Sequence, residues 1–192
     1  RAMHAHRREL PAFIARMIDS VHASVMALNR LPVPVIAGVH GAVAGGGLSL
    51  ALACDMVLAA RGTRLVTAYA QLGASADGGL SFRLAQRVGV ARAFDLLTLR
   101  TTLDAPLALA LGLIDRVVDA DRADAEARQC ARALAALPAQ SVRELKELTA
   151  VQVRAGLEAH LAREKAAFLR CAATADFAAR VAAFAEGGGR AA

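Results

Sequence analysis

Residues 33–55 read VPVIAGVHGAVAGGGLSLALACD, and this stretch decides the fold. Val33 to Val39 is rich in β-branched residues and bracketed by Pro34 and Gly41, as expected of a strand buried on both faces. Gly41 to Gly47 reads as a turn, Leu48 to Cys54 as a Leu/Ala-rich helix, and Met56 to Ala60 as the next strand. Strand, glycine loop, helix and strand in this order make the parallel-sheet unit of an α/β fold. Ligands of such units gather where strands end and helices begin, which is where Gly45, Gly46 and Gly47 stand.

Upstream, Phe13, Ile14, Met17, Ile18, Val21, Val25 and Leu28 recur at helical spacing, predicting one amphipathic helix from Leu10 to Arg30. Downstream, the pattern predicts a strand over Arg64 to Tyr69, a loop over Gly73 to Gly79, and one helix over Phe82 to Leu99. That helix would turn Leu84, Val88, Ala91, Leu96 and Leu99 inward. Asp104 caps a short helix that Gly112 closes, before a strand from Leu113 to Val118. Beyond Asp119 the residues become Ala-rich, with helices over Asp124 to Leu137 and Ser141 to Phe168 separated by Pro138. The division expected is therefore an α/β core over residues 1–118 and a helical region over 119–192, with a mobile glycine tail at Gly187 to Gly189.

The chain has 192 residues, 56% of them hydrophobic, enough for a core without disulfide or metal. Its cysteines, Cys54, Cys130 and Cys171, are odd in number and far apart, which fits a reducing cytoplasm. His4 and His6 find no further ligands at metal spacing, so no metal is expected. The net charge of +6 is carried by scattered arginines, with one Tyr and no Trp to stack bases, which argues against a nucleic-acid partner. The uncharged run Leu31 to Cys54 is long enough for a membrane span, but its prolines and glycines break such a helix. No membrane partner is expected.

A triple glycine that opens a helix lets a ligand approach the backbone and leaves N–H groups free to stabilise negative charge. In enolate chemistry each preorganised donor contributes about 3 kcal/mol. Read alone, the same run is equally a tight loop without a ligand.

The quoted stretch resembles the signature of the crotonase (enoyl-CoA hydratase/isomerase) superfamily, P-V-I-A-A-V-x-G-x-A-x-G-G-G before a helix ending in C-D. Arg64 to Arg87 resembles the family's second active-site stretch. Ala105 to Asp119 resembles its A-x-A-x-x-x-G-L-V-D-x-V-V segment, and Glu164 to Phe168 the E-x-x-x-F of its C-terminal helices. The resemblance implies a crotonase-like spiral of ββα turns and a C-terminal helical trimerisation region, hence a homotrimer or a hexamer built of two trimers. It also implies an acyl-CoA substrate, with coenzyme A arriving as part of that substrate rather than as a permanent cofactor, and a place in acyl or fatty acid metabolism.

In the family two backbone N–H groups hold the thioester carbonyl. Gly46 matches the second, and Ala44, Gly45 and Gly47 flank it in the substrate-binding loop. Nothing before Leu10 matches the first donor's strand. The chain begins at Arg1 rather than Met, and about 60 residues of a family-length domain are expected to precede it.

The family's hydratases, which are lyases, use two glutamates to activate one water; the matching positions here hold Ser49 and Tyr69. Neither hydroxyl is a general base at neutral pH with an ordinary pKa. Asp77, in LGASADGG from Leu72 to Gly79, matches the position at which the family's isomerases carry an acid, and the resemblance implies that Asp77 is the proton shuttle. By itself it equally reads as a cap for the following helix. Ser49, Tyr69, Leu72 and Gly73 would shape the acyl pocket, with Ala74 and Phe82 nearby. His22 packs against the site or takes part in it: coenzyme A dehalogenases of the superfamily are similar in pairing a helix histidine with an aspartate at the Asp77 position. The expected function is double-bond isomerisation; the alternatives are a catalytically weak or inactive acyl-CoA binding member and an enoyl-CoA hydratase.

Overall fold

The computed structural model describes residues 10–186; His4, His6 and the glycine tail lie outside the described residues. Helix α1, Leu10–Arg30, buries Ile14, Ile18 and Val25 completely, the stripe that its apolar periodicity predicts.

Strands that interleave along the chain build two three-stranded sheets. Strand β1 (Ile36–Val39) leads directly into β2 (Ala42–Ala44), then helix α2 (Gly46–Ala53), β3 (Met56–Ala60) and β4 (Arg64–Val66). The parallel sheet β1-β3 is completed by β6 (Arg116–Val118), with Ile36 opposite Met56 and Leu58 opposite Arg116. In the other sheet β2 pairs parallel with β4, and β4 antiparallel with β5 (Thr102–Asp104), Leu65 facing Leu103. From β1 to β4 successive strands feed the two sheets in turn, as in the spiral of ββα turns that the resemblance implies.

Four expectations need correction. The glycine turn contains a strand, β2, whose three residues are too few to show alternation. Strand β1 is shorter than Val33 to Val39 and only partly buried. It is an edge strand, whereas the central β3 has Val57, Leu58 and Ala59 at 0% exposure, and Val33, at the other end of Pro34, is 54% exposed. Strand β4 stops at Val66 instead of running to Tyr69, and it pairs antiparallel with β5, outside the parallel unit. Finally, the helix over Phe82 to Leu99 is two helices, α3 (Leu80–Val88) and α4 (Val90–Thr98), because Gly89 sits at φ 79° between them. The break turns α4, so that Ala93 and Leu96 face the core while Leu99 is 85% exposed.

Asp104 Oδ1 accepts from the N–H of Leu107 at 2.8 Å, capping α5 (Ala105–Ala110) as the sequence implies. Three helices follow: α6 (Ala123–Ala135), α7 (Ala139–Ala172) and α8 (Ala175–Glu186). The last lies past the expected C-terminal helices. These helices pack onto the core: a Cβ on Gly38 of β1 would stand 2.7 Å from the Ala123 carbonyl oxygen, so α6 reaches the sheet only where β1 carries glycine. Leu157 and Leu161 of α7 share a buried cluster with Val25 of α1 and Ala53 of α2. Among the described residues no helix is long and apolar enough to cross a membrane.

Candidate active site

The glycine run lies at the start of α2. Gly45, at φ 51°, precedes the first turn; its N–H donates to the Val66 carbonyl at 3.0 Å, which ties the loop to β4. Among the described residues no side chain caps α2, and the first N–H groups of a helix have no intrahelical acceptor. A Cβ added at Gly45, Gly46 or Gly47 would meet nothing within 4 Å, so the backbone here faces open space that a ligand could approach. Ala44 ends β2 beside it.

Asp77 is buried in the loop before α3. Its carboxylate Oδ1 lies 2.7 Å from Nε2 of His22 on α1. Its carbonyl oxygen accepts from Ser49 Oγ at 2.7 Å and from the Tyr69 hydroxyl at 3.5 Å, and those two hydroxyls lie 3.3 Å apart. The fold thus brings His22, Ser49, Tyr69 and Asp77 together beside the glycine loop. The hydroxyls at the two glutamate-matching positions hold the backbone of Asp77 in place. Burial pushes the Tyr69 phenol well above its usual value, against the pull of the Ser49 hydrogen bond, so Tyr69 stays neutral. Its neighbour Ala68 takes φ 60°, a left-handed conformation unusual for a residue with a Cβ.

The two following glycines have steric reasons. Gly78, at φ 67°, would put a Cβ 2.8 Å from the Cβ of Ser49, and Gly79, at φ 79°, would put one 3.2 Å from Leu157. Asp77 does not cap α3. That role falls to Glu164 of α7, whose Oε2 accepts from Gly79 N–H at 2.6 Å and whose Oε1 accepts from Ser81 N–H at 3.1 Å and Ser81 Oγ at 2.5 Å. The sequence contained Glu164 in its E-x-x-x-F segment, but nothing local ties a residue on one helix to the start of another 85 positions away.

Leu72 and Gly73 sit apart from this cluster, closing the short 3-10 turn Ala70–Leu72. A Cβ on Gly73 would face Asp176, Arg180 and Phe177 of α8. Tyr69 and Ala74 border a largely apolar cavity of about 410 Å³ between α4 and α7. Phe82, expected on the pocket wall, does not line it and packs on His160, ring centroids 5.1 Å apart.

Ligand atoms of His22, Asp77 and Glu164 lie within 4.8 Å of one another, a donor set of the kind divalent cations use. Both Glu164 oxygens, however, already accept N–H bonds at the positive end of α3, a field that opposes a cation. The arrangement offers instead a buried carboxylate with an imidazole on one oxygen, beside unfilled N–H donors: a group for moving a proton, and a place for developing negative charge.

A family model described as enoyl-CoA hydratase/isomerase matches residues 3–190. A Mycobacterium tuberculosis protein described as a probable enoyl-CoA hydratase is 36% identical over 159 residues, covering 83% of this chain and 62% of that protein. The 1,2-epoxyphenylacetyl-CoA isomerase of Escherichia coli is 42% identical over 114 residues, 59% of this chain and 44% of the isomerase. The chain therefore spans less than two thirds of the length of these relatives. Among solved structures, an enoyl-CoA hydratase from Mycobacterium avium subsp. paratuberculosis superposes with a TM-score of 0.82 at 33% identity, over 88% of this chain and 70% of that one.

Proposed function

The chain belongs to the enoyl-CoA hydratase/isomerase family, and on that premise we propose that it isomerises a double bond in an acyl-CoA thioester, with Asp77 as the proton shuttle. One Asp77 oxygen takes a proton from the carbon next to the double bond, and the C–H electrons move into the carbonyl as an enolate. The Gly46 N–H holds the enolate oxygen, where a fixed donor is worth far more than water. The enolate collapses when Asp77 returns the proton to a different carbon. Ser49 and Tyr69 fix the loop, and His22 orients the carboxylate. Coenzyme A is part of the substrate in this reading, the assembly is a homotrimer or hexamer, and three unpaired cysteines support a reducing compartment such as the cytoplasm.

The observation that carries the proposal is the contrast within the site. One buried carboxylate stands ready, while the positions at which a two-glutamate hydratase activates water hold hydroxyls hydrogen-bonded to the Asp77 backbone. Conversion of 3-enoyl-CoA to 2-enoyl-CoA thioesters, followed by absorbance and by NMR of the product, tests it. Isomer without 3-hydroxyacyl-CoA is expected. Water addition to crotonyl-CoA at comparable rate points to a hydratase, and saturable thioester binding with no turnover to an inactive binding member.

The His22–Asp77 contact favours one second reading. A histidine-oriented carboxylate is also a nucleophile: Asp77 oxygen displaces halide from an aryl-CoA carbon, and His22 takes the proton of the water that then cleaves the ester. Chloride release from chlorobenzoyl-CoA isolates this outcome.

A further inference from the structure

At the other end of α2, about 12 Å from the glycine loop for an eight-residue helix, the ends of α1 and α2 meet α3 and α7 around a polar cavity of about 270 Å³. Arg83 and Arg87, one turn apart on α3, line it with Gln86, Asn29 and Thr149. Arg83 is 92% buried, at 8% relative exposure. Its Nη2 donates to the Asn29 side-chain oxygen at 2.7 Å, but its Nε is buried with no partner among the described residues. Arg87 donates from Nη1 to the Leu113 carbonyl at 2.8 Å.

Among the described residues neither guanidinium meets a carboxylate. Asp55, the acid that the described residues place on the cavity wall, is held by Lys146 Nζ at 2.6 Å and by the Val35 N–H at 2.7 Å. The cavity thus gathers two arginine charges that neutral groups satisfy only in part. Burial, and then the charge of Arg87, push Arg83 down to about 10, against the opposing pull of Asp55 and Cys54.

We infer that this cavity is a binding site for a phosphate-class oxyanion, held between the Arg83 and Arg87 guanidinium groups with Gln86 as a further donor. Two guanidinium forks suit a tetrahedral dianion better than a lone carboxylate, because each presents parallel N–H donors to a pair of oxygens. The volume accommodates such an ion with several waters, at about 30 Å³ per water. The chemistry is shared by free phosphate and by the terminal phosphate of a nucleotide ester. The site is separate from the thioester loop and does not depend on the reaction proposed there.

Isothermal titration with inorganic phosphate, at constant ionic strength set with chloride, tests the site on the wild-type chain and on Arg87→Gln, whose folding circular dichroism checks. Arg87 is the better probe, since loss of the buried Arg83 disturbs packing. Saturable binding to the wild type, weakened about tenfold or more in Arg87→Gln, is expected for loss of a charged hydrogen-bond donor. In a second arm adenosine 3′,5′-bisphosphate is added: Arg87-dependent competition assigns the site to an ester phosphate, and none assigns it to the free ion. Absence of saturable phosphate binding, or equal affinity in folded Arg87→Gln, overturns the inference.

Discussion

His22 and Asp77, 55 residues apart in the chain, meet with imidazole Nε2 2.7 Å from carboxylate Oδ1, their side chains only 13% and 9% exposed. The contact exists because α1 packs on α2 and α7 through Val25, Leu157 and Ala53, carrying His22 to the loop that Ser49 pins from below. Of the two Asp77 oxygens, Oδ1 is taken by the imidazole, so in the proposed reaction proton transfer falls to the other.

Gly78→Ala should damage both fold and site. The new Cβ would stand 2.8 Å from Ser49 Cβ, in a backbone at φ 67°, and the loop must move to admit it. A loss of about 1–3 kcal/mol, read as a lower Tm, is expected together with loss of turnover. Gly62→Ala, with nothing within 4 Å, serves as the silent control.

Glu164→Gln tests the reach of α7 into the site. The amide keeps the shape but replaces one acceptor oxygen with a donor facing N–H groups at the start of α3. Denaturant unfolding should show a loss of about 1–3 kcal/mol. An unchanged midpoint would mean that α3 holds its own start.

Tyr69 sets an alkaline limit. Its pKa is raised in the folded chain by burial, so the folded state holds the phenolic proton more tightly than the unfolded chain does. This contribution is complete below the unfolded value of about 10 and declines as pH rises above it. Tyr69→Phe should therefore show a flatter loss of stability between pH 9 and 11 in denaturant titrations. Parallel slopes for the two proteins would refute the assignment.

Much of this was legible beforehand, and the limits are physical. The quoted stretch carried α2, and the run just after it β3, because apolar composition and glycine punctuation act locally. It hid β2, whose three residues lie between Gly41 and Gly45, and the apolar pattern ran through Gly89 although a positive φ turns the chain there. In the site, Asp77 and the glycine run could be named from the motif. The bonds from Ser49 and Tyr69 to the Asp77 carbonyl and the Glu164 cap could not, since each joins distant segments through a geometry that only packing decides.

The surface of α7 bears on assembly. Leu145, Leu148 and Val151 are 59%, 71% and 55% exposed, and a stripe of apolar residues this open on one helix calls for cover. Light scattering at micromolar concentration should report a trimer or hexamer, and Leu148→Glu should shift the population towards monomer. A wild-type monomer would contradict the proposed assembly.

Asp77→Asn separates proton transfer from structure. Asparagine preserves the size of the side chain and can still hydrogen-bond to His22, and the Ser49 and Tyr69 bonds go to the backbone carbonyl, so the fold should be kept. It cannot take a proton from carbon. The measurement is kcat for enoyl-CoA isomerisation alongside Tm: a proton shuttle at Asp77 requires a fall of roughly a hundredfold or more with Tm unchanged, and an Asp77→Asn enzyme of near wild-type kcat would contradict that role.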